Sequence, residues 1–174
     1  MYTRVIGVEK DALFLREMHR DATGIRIFRD GDSIQVLDQK TLIPFVERVI
    51  RKVEYINSEV IRLELEPLSP ATADNAGRMP EQEIKPGQVV ENISHNVALT
   101  FRHNIVRGNR ARGMLIASRG RTVIEDCYFH TSGAAVLFEA NGEYWFESGG
   151  TREVTIRGCR FDASRHGRWG HAVI

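Results

Sequence analysis

A phrase that recurs three times in the second half of the chain limits the possible folds more than any other feature. Each copy has an apolar residue, two free positions, a small polar or thiol residue, one free position and a second apolar residue. A shorter apolar run then follows at 114–116, 135–138 and 172–174. The copies start 23 residues apart (101 to 124) and then 32 residues apart (124 to 156), a spacing typical of stacked repeats. They are Phe101/Asn104/Val106, Ile124/Cys127/Phe129 and Ile156/Cys159/Phe161.

Short parallel strands are predicted for this half. The runs at 122–125 and 154–157 alternate and are rich in β-branched residues, and no helical stripe of useful length appears. Equivalent copies are not joined by hairpin turns, which favours a right-handed parallel β-helix. Asn104, Cys127 and Cys159 would then share one stacked position at a corner or inward bend, where the Asn104 amide could bond the backbone of neighbouring coils. The segments between the strands carry turn-forming glycines, namely Gly108, Gly113, Gly120, Gly133, Gly149, Gly150 and Gly158.

The first half is predicted to be a small antiparallel β-barrel or curled sheet of about six strands. Strands are expected at 2–8, 12–16, 33–37, 60–65 and from 89 onward, and 67–85 is expected to be a loop. Residues 42–56 fit either a helical stripe or an alternating strand. The strand is favoured, because Asn57-Ser58 then closes a hairpin and Pro44 stands at a strand start. The predicted domains are therefore a barrel-like subdomain over 1–92 and β-helix coils over 93–174.

Composition excludes several classes of protein. Apolar residues make up 42% of the 174 positions, which supports a packed core. The net charge of +1 gives no electrostatic case for nucleic-acid binding, and two cysteines do not make a disulfide framework. Cys127 and Cys159 are interpreted as buried thiols, with pairing across stacked coils as the alternative. No signal peptide or membrane span is visible, and neither a zinc-ligand spacing nor a phosphate-binding, dinucleotide-binding or nucleophile-elbow motif is present.

Glu147 is the leading candidate for an acid catalyst, although no residue is assigned as catalytic. It follows Tyr144, Trp145 and Phe146; aromatic faces stack on sugars, and apolar surroundings raise the pKa of a carboxyl group. The alternative is that the aromatic residues pack a loop and Glu147 is solvated or paired with an arginine. Other carboxylates available in this half are Glu125, Asp126, Glu139, Glu143, Glu153 and Asp162.

Arg112 and His130 are further candidates. Arg112 precedes Gly113 at the start of a predicted strand, where its guanidinium could donate paired hydrogen bonds to sugar hydroxyls or hold a carboxylate; otherwise it is one surface arginine among several. His130 could carry a proton, or be a corner histidine bonded to the backbone. Glu139 ends an apolar run and could face either a groove or water.

The order of several segments resembles glycoside hydrolase family 110. They are 87–92, 109–116, 123–129 and 145–149, together with 31–34 and 40–44 in the front half. The resemblance implies an exo-acting α-1,3-galactosidase, built as a right-handed parallel β-helix with inserted β-barrels, that inverts configuration without a metal or other cofactor. It implies an α-galactoside glycan as the partner, with Trp145, Glu147 and Arg112 as the substrate-binding residues. Full-length relatives are expected to be secreted or periplasmic.

One departure from the family changes the expectation. The family's catalytic acidic pair is associated with an Asp-rich stretch upstream of the barrel insert, and nothing in this chain matches that stretch. The chain is therefore expected to be a fragment that is inactive alone. Two alternatives stay open: a carbohydrate-binding β-helix module without chemistry, and a module that self-associates, with a second copy covering an open β-helix end. Neither a nucleic-acid nor a membrane partner is expected.

Overall fold

The computed structural model describes residues 2–16, 26–67, 83–141, 150–164, 166 and 173–174. Within these residues the protein is all-β, with fourteen strands and no helix, so no membrane-spanning helix is found in this part of the chain. The described residues up to His95 form one compact unit, and those from Asn96 onward form a second. The domain boundary between residues 92 and 93 stays a prediction.

The first unit is a closed six-stranded antiparallel barrel, as the sequence predicts. Around the barrel the strands follow the order β1, β2, β5, β4, β3, β6, so that β1 closes on β6 through the register Tyr2 to Glu91. Closure leaves no unpaired sheet edge. The strands are β1 (Tyr2–Glu9), β2 (Ala12–Arg16), β3 (Ser33–Leu37), β4 (Pro44–Tyr55), β5 (Val60–Leu65) and β6 (Val89–Asn92).

Alternation of apolar side chains builds the barrel core. Every second residue of β2, β3 and β5 points inward, and each of these side chains is at most 1% exposed. They are Leu13, Leu15, Ile34, Val36, Ile61 and Leu63, and they form one cluster with Val5, Phe28, Ile50 and Val90. The predicted loop at 67–85 falls largely outside the described residues.

The segment that fitted either helix or strand is strand β4, which begins at Pro44 as predicted. The hairpin to β5 closes where expected. The Ile56 N–H donates to the Val60 carbonyl at 3.0 Å, and the Asn57 carboxamide oxygen accepts the N–H groups of Glu59 and Val60 at 2.8 and 2.9 Å. β4 pairs with β3 through residues 44–49 and with β5 through residues 50–55. These long-range hydrogen bonds stabilise a strand in a segment that could otherwise form an amphipathic helix.

The second unit contains three small parallel sheets. The first has the order β13–β10–β7, the second β14–β11–β8 and the third β12–β9, so consecutive strands along the chain enter successive sheets. The strands are β7 (Leu99–Arg102), β8 (Ile105–Arg107), β9 (Arg112–Ile116), β10 (Thr122–Glu125), β11 (Tyr128–His130), β12 (Ala134–Phe138), β13 (Val154–Arg157) and β14 (Arg160–Asp162).

The three copies of the repeated phrase pair in the register that the sequence predicts. Ile124 lies between Phe101 and Ile156, and Phe129 lies between Val106 and Phe161. These side chains share one apolar cluster, in which the Phe129 and Phe161 rings stack with centroids 5.3 Å apart. The third apolar run also reaches this cluster through Val173, whose carbonyl accepts the Ala135 N–H at 2.9 Å; Ala172 lies outside the described residues.

The polar position of each phrase occupies an equivalent place between the first and second sheets, as predicted. Asn104, Cys127 and Cys159 each donate to the carbonyl two residues earlier, at 2.6, 3.0 and 3.4 Å. The thiols reach the neighbouring strands, since Cys127 Sγ lies 3.6 Å from the Phe101 carbonyl oxygen and Cys159 Sγ lies 3.7 Å from that of Ile124. The Asn104 amide, for which such a contact was predicted, bonds the Arg102 carbonyl instead. Both cysteines are free; Cys127 is buried and Cys159 is partly exposed.

The residue before each of these positions has a left-handed backbone. The φ angles are 54° at His103, 51° at Asp126 and 62° at Gly158. At Gly158 a Cβ atom would lie 2.2 Å from an oxygen of the Asp126 carboxylate. Glycine at this position therefore relieves the strain of a left-handed backbone and leaves room for the Asp126 carboxylate, which a Cβ would displace.

Candidate functional site

Two of the three predicted substrate-binding residues lie outside the described part of the chain. Trp145 and Glu147, with Tyr144, Phe146 and Glu143, belong to the range 142–149. Their roles in stacking on a sugar and in acid catalysis stay predictions. Arg112 is described, and its surroundings can be examined directly.

Arg112 is the first residue of β9 and is partly exposed. The Asn109 carboxamide donates to the carbonyls of Arg112 and Gly113 at 3.1 and 3.4 Å, which shapes the backbone at this strand start. A Cβ on Gly113 would lie 2.5 Å from the Ala135 carbonyl, so glycine is required next to Arg112 for the two strands to approach. The Arg112 guanidinium itself makes no hydrogen bond or ion pair with any described residue. No described residue therefore competes with a ligand for its donors.

Glu125 is held by two arginines. It lies on β10, with Arg102 beside it on β7 and Arg157 on β13. The Nε of each arginine contacts a different oxygen of the carboxylate, whose side chain is only 7% exposed. With both oxygens occupied, Glu125 links the three strands and is poorly placed to act as a catalytic acid or base. Aligning the three copies of the repeated phrase predicts these ion pairs, because the equivalent positions 102, 125 and 157 are Arg, Glu and Arg.

A second polar cluster covers the outer face of the β8–β11–β14 sheet. Val106, Phe129 and Phe161 point into the apolar cluster, so the residues on either side of them point outward. Two in-register rows result, the first of Ile105, Tyr128 and Arg160 and the second of Arg107, His130 and Asp162. We call these six residues the outer polar face.

Hydrogen bonds order the side of the outer polar face that lies on β14. Arg160 Nη2 lies 2.9 Å from Asp162 Oδ2, and the Tyr128 hydroxyl donates to the same carboxylate. The bond from Arg160, with that from Tyr128, lowers the pKa of Asp162 below its usual 3.8. The bond to Asp162 raises the pKa of the Tyr128 phenol above its usual 10.0. Asp162 is therefore an anion, and Tyr128 a neutral donor, throughout the neutral range.

The remaining cations of this face are less constrained. The His130 ring meets the Tyr128 ring edge-on, with centroids 6.4 Å apart, but its nitrogens have no hydrogen-bond partner among the described residues. His130 is the last residue of strand β11, and both its role as a proton carrier and the alternative of a corner histidine bonded to the backbone stay predictions. Arg107 likewise forms no ion pair with a described residue. Glu139 follows β12 and is partly exposed, and its role is also untested.

The residues described by the structure contain no group of three or more His, Cys, Asp or Glu side chains close enough to hold a metal ion. Sequence reasoning weighed His130 and Asp162 separately and missed their proximity to Tyr128 and Arg160. The signal that could have found the cluster is the position two residues after each Asn or Cys, which reads Val, Phe, Phe and is flanked by polar residues at every place except Ile105. Those flanks mark the outward rows.

Comparison with known proteins gives consistent results for both halves of the chain. The GLAA-B beta-barrel domain II family matches residues 12–75. An α-1,3-galactosidase B of Akkermansia muciniphila is 32% identical over 151 residues, which cover 86% of this chain and 18% of that protein. An α-1,3-galactosidase B of Bacteroides fragilis is 34% identical over 171 residues, which cover 92% of this chain and 27% of that protein. An α-1,3-galactosidase A of the same species is 27% identical over 169 residues, which cover 96% of this chain and 26% of that protein.

The chain thus spans 18–27% of the length of these relatives. The matches extend over both units, because they cover at least 86% of the chain. The resemblance that the sequence predicts is confirmed: the chain is homologous to a segment of the bacterial α-1,3-galactosidases.

Proposed function

We propose that the chain is a segment of an exo-α-1,3-galactosidase-like hydrolase and takes part in recognising terminal α-galactosyl residues. The observation that carries this proposal is that relatives named α-1,3-galactosidase match both the barrel and the parallel-sheet unit. A likeness confined to the barrel would have left the repeat half without a functional assignment. The ligand is therefore an α-galactoside glycan.

We further propose that the three parallel sheets are the walls of a right-handed parallel β-helix occupying 93–174, with the barrel subdomain occupying 1–92. Supporting this, the chain visits the three sheets in the same order in the first two copies of the phrase, and the third copy enters the first two sheets in that order, with equivalent residues paired in register. Such a stack offers long, regular outer faces on which side chains from successive coils form rows. Rows of this kind suit an extended ligand such as a glycan.

The chemistry proposed is hydrolysis with inversion, which needs a general acid and a general base roughly 6.5–9.5 Å apart. Glu125 is engaged by two arginines and Asp162 is held as an anion, so neither suits the role of acid. Glu147 remains the proposed acidic contact, with Trp145 stacking on the sugar and Arg112 donating to its hydroxyls. We propose that these 174 residues alone turn over no substrate, since the family's Asp-rich stretch has no match in them.

Calorimetric titration with galactosyl-α-1,3-galactose tests the proposal. We expect measurable binding by the wild-type chain and a loss of about tenfold or more in Arg112→Ala, since a lost charge-assisted hydrogen bond costs about 1.5–3 kcal/mol. Trp145→Ala should also weaken binding. Arg152→Ala is the matched control, because Arg152 is exposed and lies outside the proposed site. Absence of galactoside binding by the wild type contradicts the proposal.

A galactose-release assay on the same disaccharide addresses the catalytic part. No release above the buffer rate is expected from the chain alone. Clear turnover would contradict the proposed inactivity and would locate the acid and base within these residues, with Glu147→Gln as the first variant to examine. Self-association stays a separate prediction, and a strict monomer in light scattering would contradict it.

A further inference from the structure

We propose that the outer polar face is a second glycan-binding site, which takes one neutral galactoside residue against the β8–β11–β14 sheet. The choice of a galactoside rests on the proposed function, whereas the site itself rests on the geometry of this sheet. The six residues that define the face are Ile105, Arg107, Tyr128, His130, Arg160 and Asp162.

The dimensions of the face fit a single sugar ring. Neighbouring strands lie about 4.8 Å apart, so the three strands span about 10 Å. The two outward residues of each strand are separated by about 7 Å along the chain direction. A hexopyranose laid on this surface would reach both rows, with room for its glycosidic bond to extend beyond the sheet.

On β14, at one side of the face, lies a carboxylate prepared for hydroxyl groups. The Asp162 carboxylate has about four lone-pair directions, and the bonds from Arg160 and Tyr128 use two of them. Both partners hold the carboxylate in one orientation before any ligand arrives, which reduces the entropy cost of binding. The remaining lone pairs can accept from two neighbouring sugar hydroxyls.

Donors and an apolar surface complete the site. His130 lies beside Asp162 in its row and Arg107 lies beyond His130. Both carry donors without a partner among the described residues, so they can bond the oxygens that a hydroxyl presents as acceptors. In the other row, Ile105 is 69% exposed although it lies on a strand beside Tyr128. A sugar C–H face packed on Ile105 and the edge of the Tyr128 ring would cover this apolar surface.

The charge arrangement favours a neutral sugar over an anionic one. The ion pair between Arg160 and Asp162 neutralises both groups, and Asp162 would repel a sulfate or carboxylate placed beside it. Arg107, on the opposite strand β8, alone remains as a full positive charge without a counter-ion among the described residues. An anionic glycan would have to bind on the β8 side, away from the ordered carboxylate on β14.

Binding of methyl α-galactoside to the wild-type chain, Asp162→Asn and Tyr128→Phe tests the site, with affinity from calorimetry and location from amide chemical-shift changes. We expect shifts at 128–130 and 160–162, and an affinity loss of roughly fivefold to tenfold in each variant, since each loses a hydrogen bond to a charged group. Glu153→Gln is the control, because Glu153 pairs with Arg121 away from this sheet. Circular dichroism and the midpoint of thermal unfolding verify that both variants fold.

The outcomes separate this site from the proposed function. Unchanged affinity in Asp162→Asn and Tyr128→Phe, together with loss in Arg112→Ala, overturns the outer polar face and leaves the proposed function standing. Loss in the first two variants with no change in Arg112→Ala supports the face and contradicts the role of Arg112. Tighter binding of a sulfated galactoside than of the neutral one overturns the neutral-sugar assignment. A wild type that binds no galactoside contradicts both proposals.

Discussion

Replacing Glu125 with glutamine removes the negative charge that links strands β7, β10 and β13 while keeping the side-chain volume. We expect the free energy of unfolding of the second unit to fall by about 1.5–3 kcal/mol. The reason is that Glu125 accepts a contact from Arg102 on one side and from Arg157 on the other, through different carboxylate oxygens. Both strand pairings lose a charge-assisted contact at once.

The magnitude follows from the burial of the three side chains. Two hydrogen bonds to a charged group are worth about 1.5–3 kcal/mol each, giving an upper range of about 3–6 kcal/mol. This range must be reduced by about half, because the Arg102 and Arg157 side chains are 49% and 70% exposed and regain water when the carboxylate is lost. Without Glu125 the two guanidinium groups also face each other across two strand spacings, roughly 10 Å, a distance at which their repulsion is only partly screened.

Urea unfolding followed by circular dichroism measures this change as a shift in midpoint at constant slope. Glu153→Gln is the matched control, since the pair of Arg121 and Glu153 is 63% and 61% exposed and its loss should cost under about 0.5 kcal/mol. A loss in Glu125→Gln no larger than that in the control would refute the reasoning. The reasoning would also be refuted if Glu125→Gln cost as much stability in an Arg102→Ala/Arg157→Ala background as in the wild type. The contacts with the two arginines would then contribute nothing to stability.

Three further predictions can be checked in the same chain. Gly133→Ala should destabilise the second unit by about 3 kcal/mol or more, because a Cβ there would lie 1.5 Å from the Ala111 carbonyl oxygen. Gly108→Ala should cost only about 1 kcal/mol, because a Cβ there meets open space and only the φ of +77° is unfavourable. Equal losses of the two variants in urea unfolding would contradict this prediction. Asn57→Ala should lower barrel stability by about 1 kcal/mol, since two turn N–H groups lose their acceptor, while Ser58→Ala should leave the unfolding midpoint unchanged. Because the pKa of Asp162 is lowered, its contribution to stability is present above pH 3.8 and is lost as the pH falls through the folded-state pKa. Because the pKa of Tyr128 is raised, its contribution is present below pH 10.0 and is lost as the pH rises through the folded-state pKa. Ultraviolet titration, with Tyr128→Phe as the difference reference, should show the phenol ionising at lower pH in Asp162→Asn, and an unchanged titration would contradict the bond between them.

Patterns with short periods made much of the fold predictable. Alternation in 12–16, 33–37 and 60–65 marks the inward residues of the barrel, and the turn signal at Asn57 resolves the ambiguous segment before it. The repeated phrase also predicts the pairing of Ile124 with Phe101 and Ile156, because stacked strands bury equivalent apolar positions together. These features depend on local spacing and on one core per unit.

Side-chain contacts between neighbouring strands were harder to predict from the sequence. Glu125 was counted as an available carboxylate, yet its chemistry is decided by arginines 23 residues before it and 32 residues after it, at 102 and 157. His130 was weighed as a proton carrier or a corner residue because it follows the second copy of the repeated phrase, and the structure places it at the end of β11. The connection of Tyr128, Arg160 and Asp162 likewise depends on register between two copies, so a reading of each copy alone leaves it unseen.

The left-handed corners at His103, Asp126 and Gly158 bear on how such a repeat can grow. The Asp126 carboxylate occupies the space that a Cβ on the next copy would need, and glycine at 158 lets the third copy stack without moving that carboxylate. A second copy duplicated and placed after itself would set an aspartate Cβ against an aspartate carboxylate. Lengthening this array by simple duplication therefore requires the exposed carboxylate to turn away toward solvent, so the second and third copies are not equivalent at this corner.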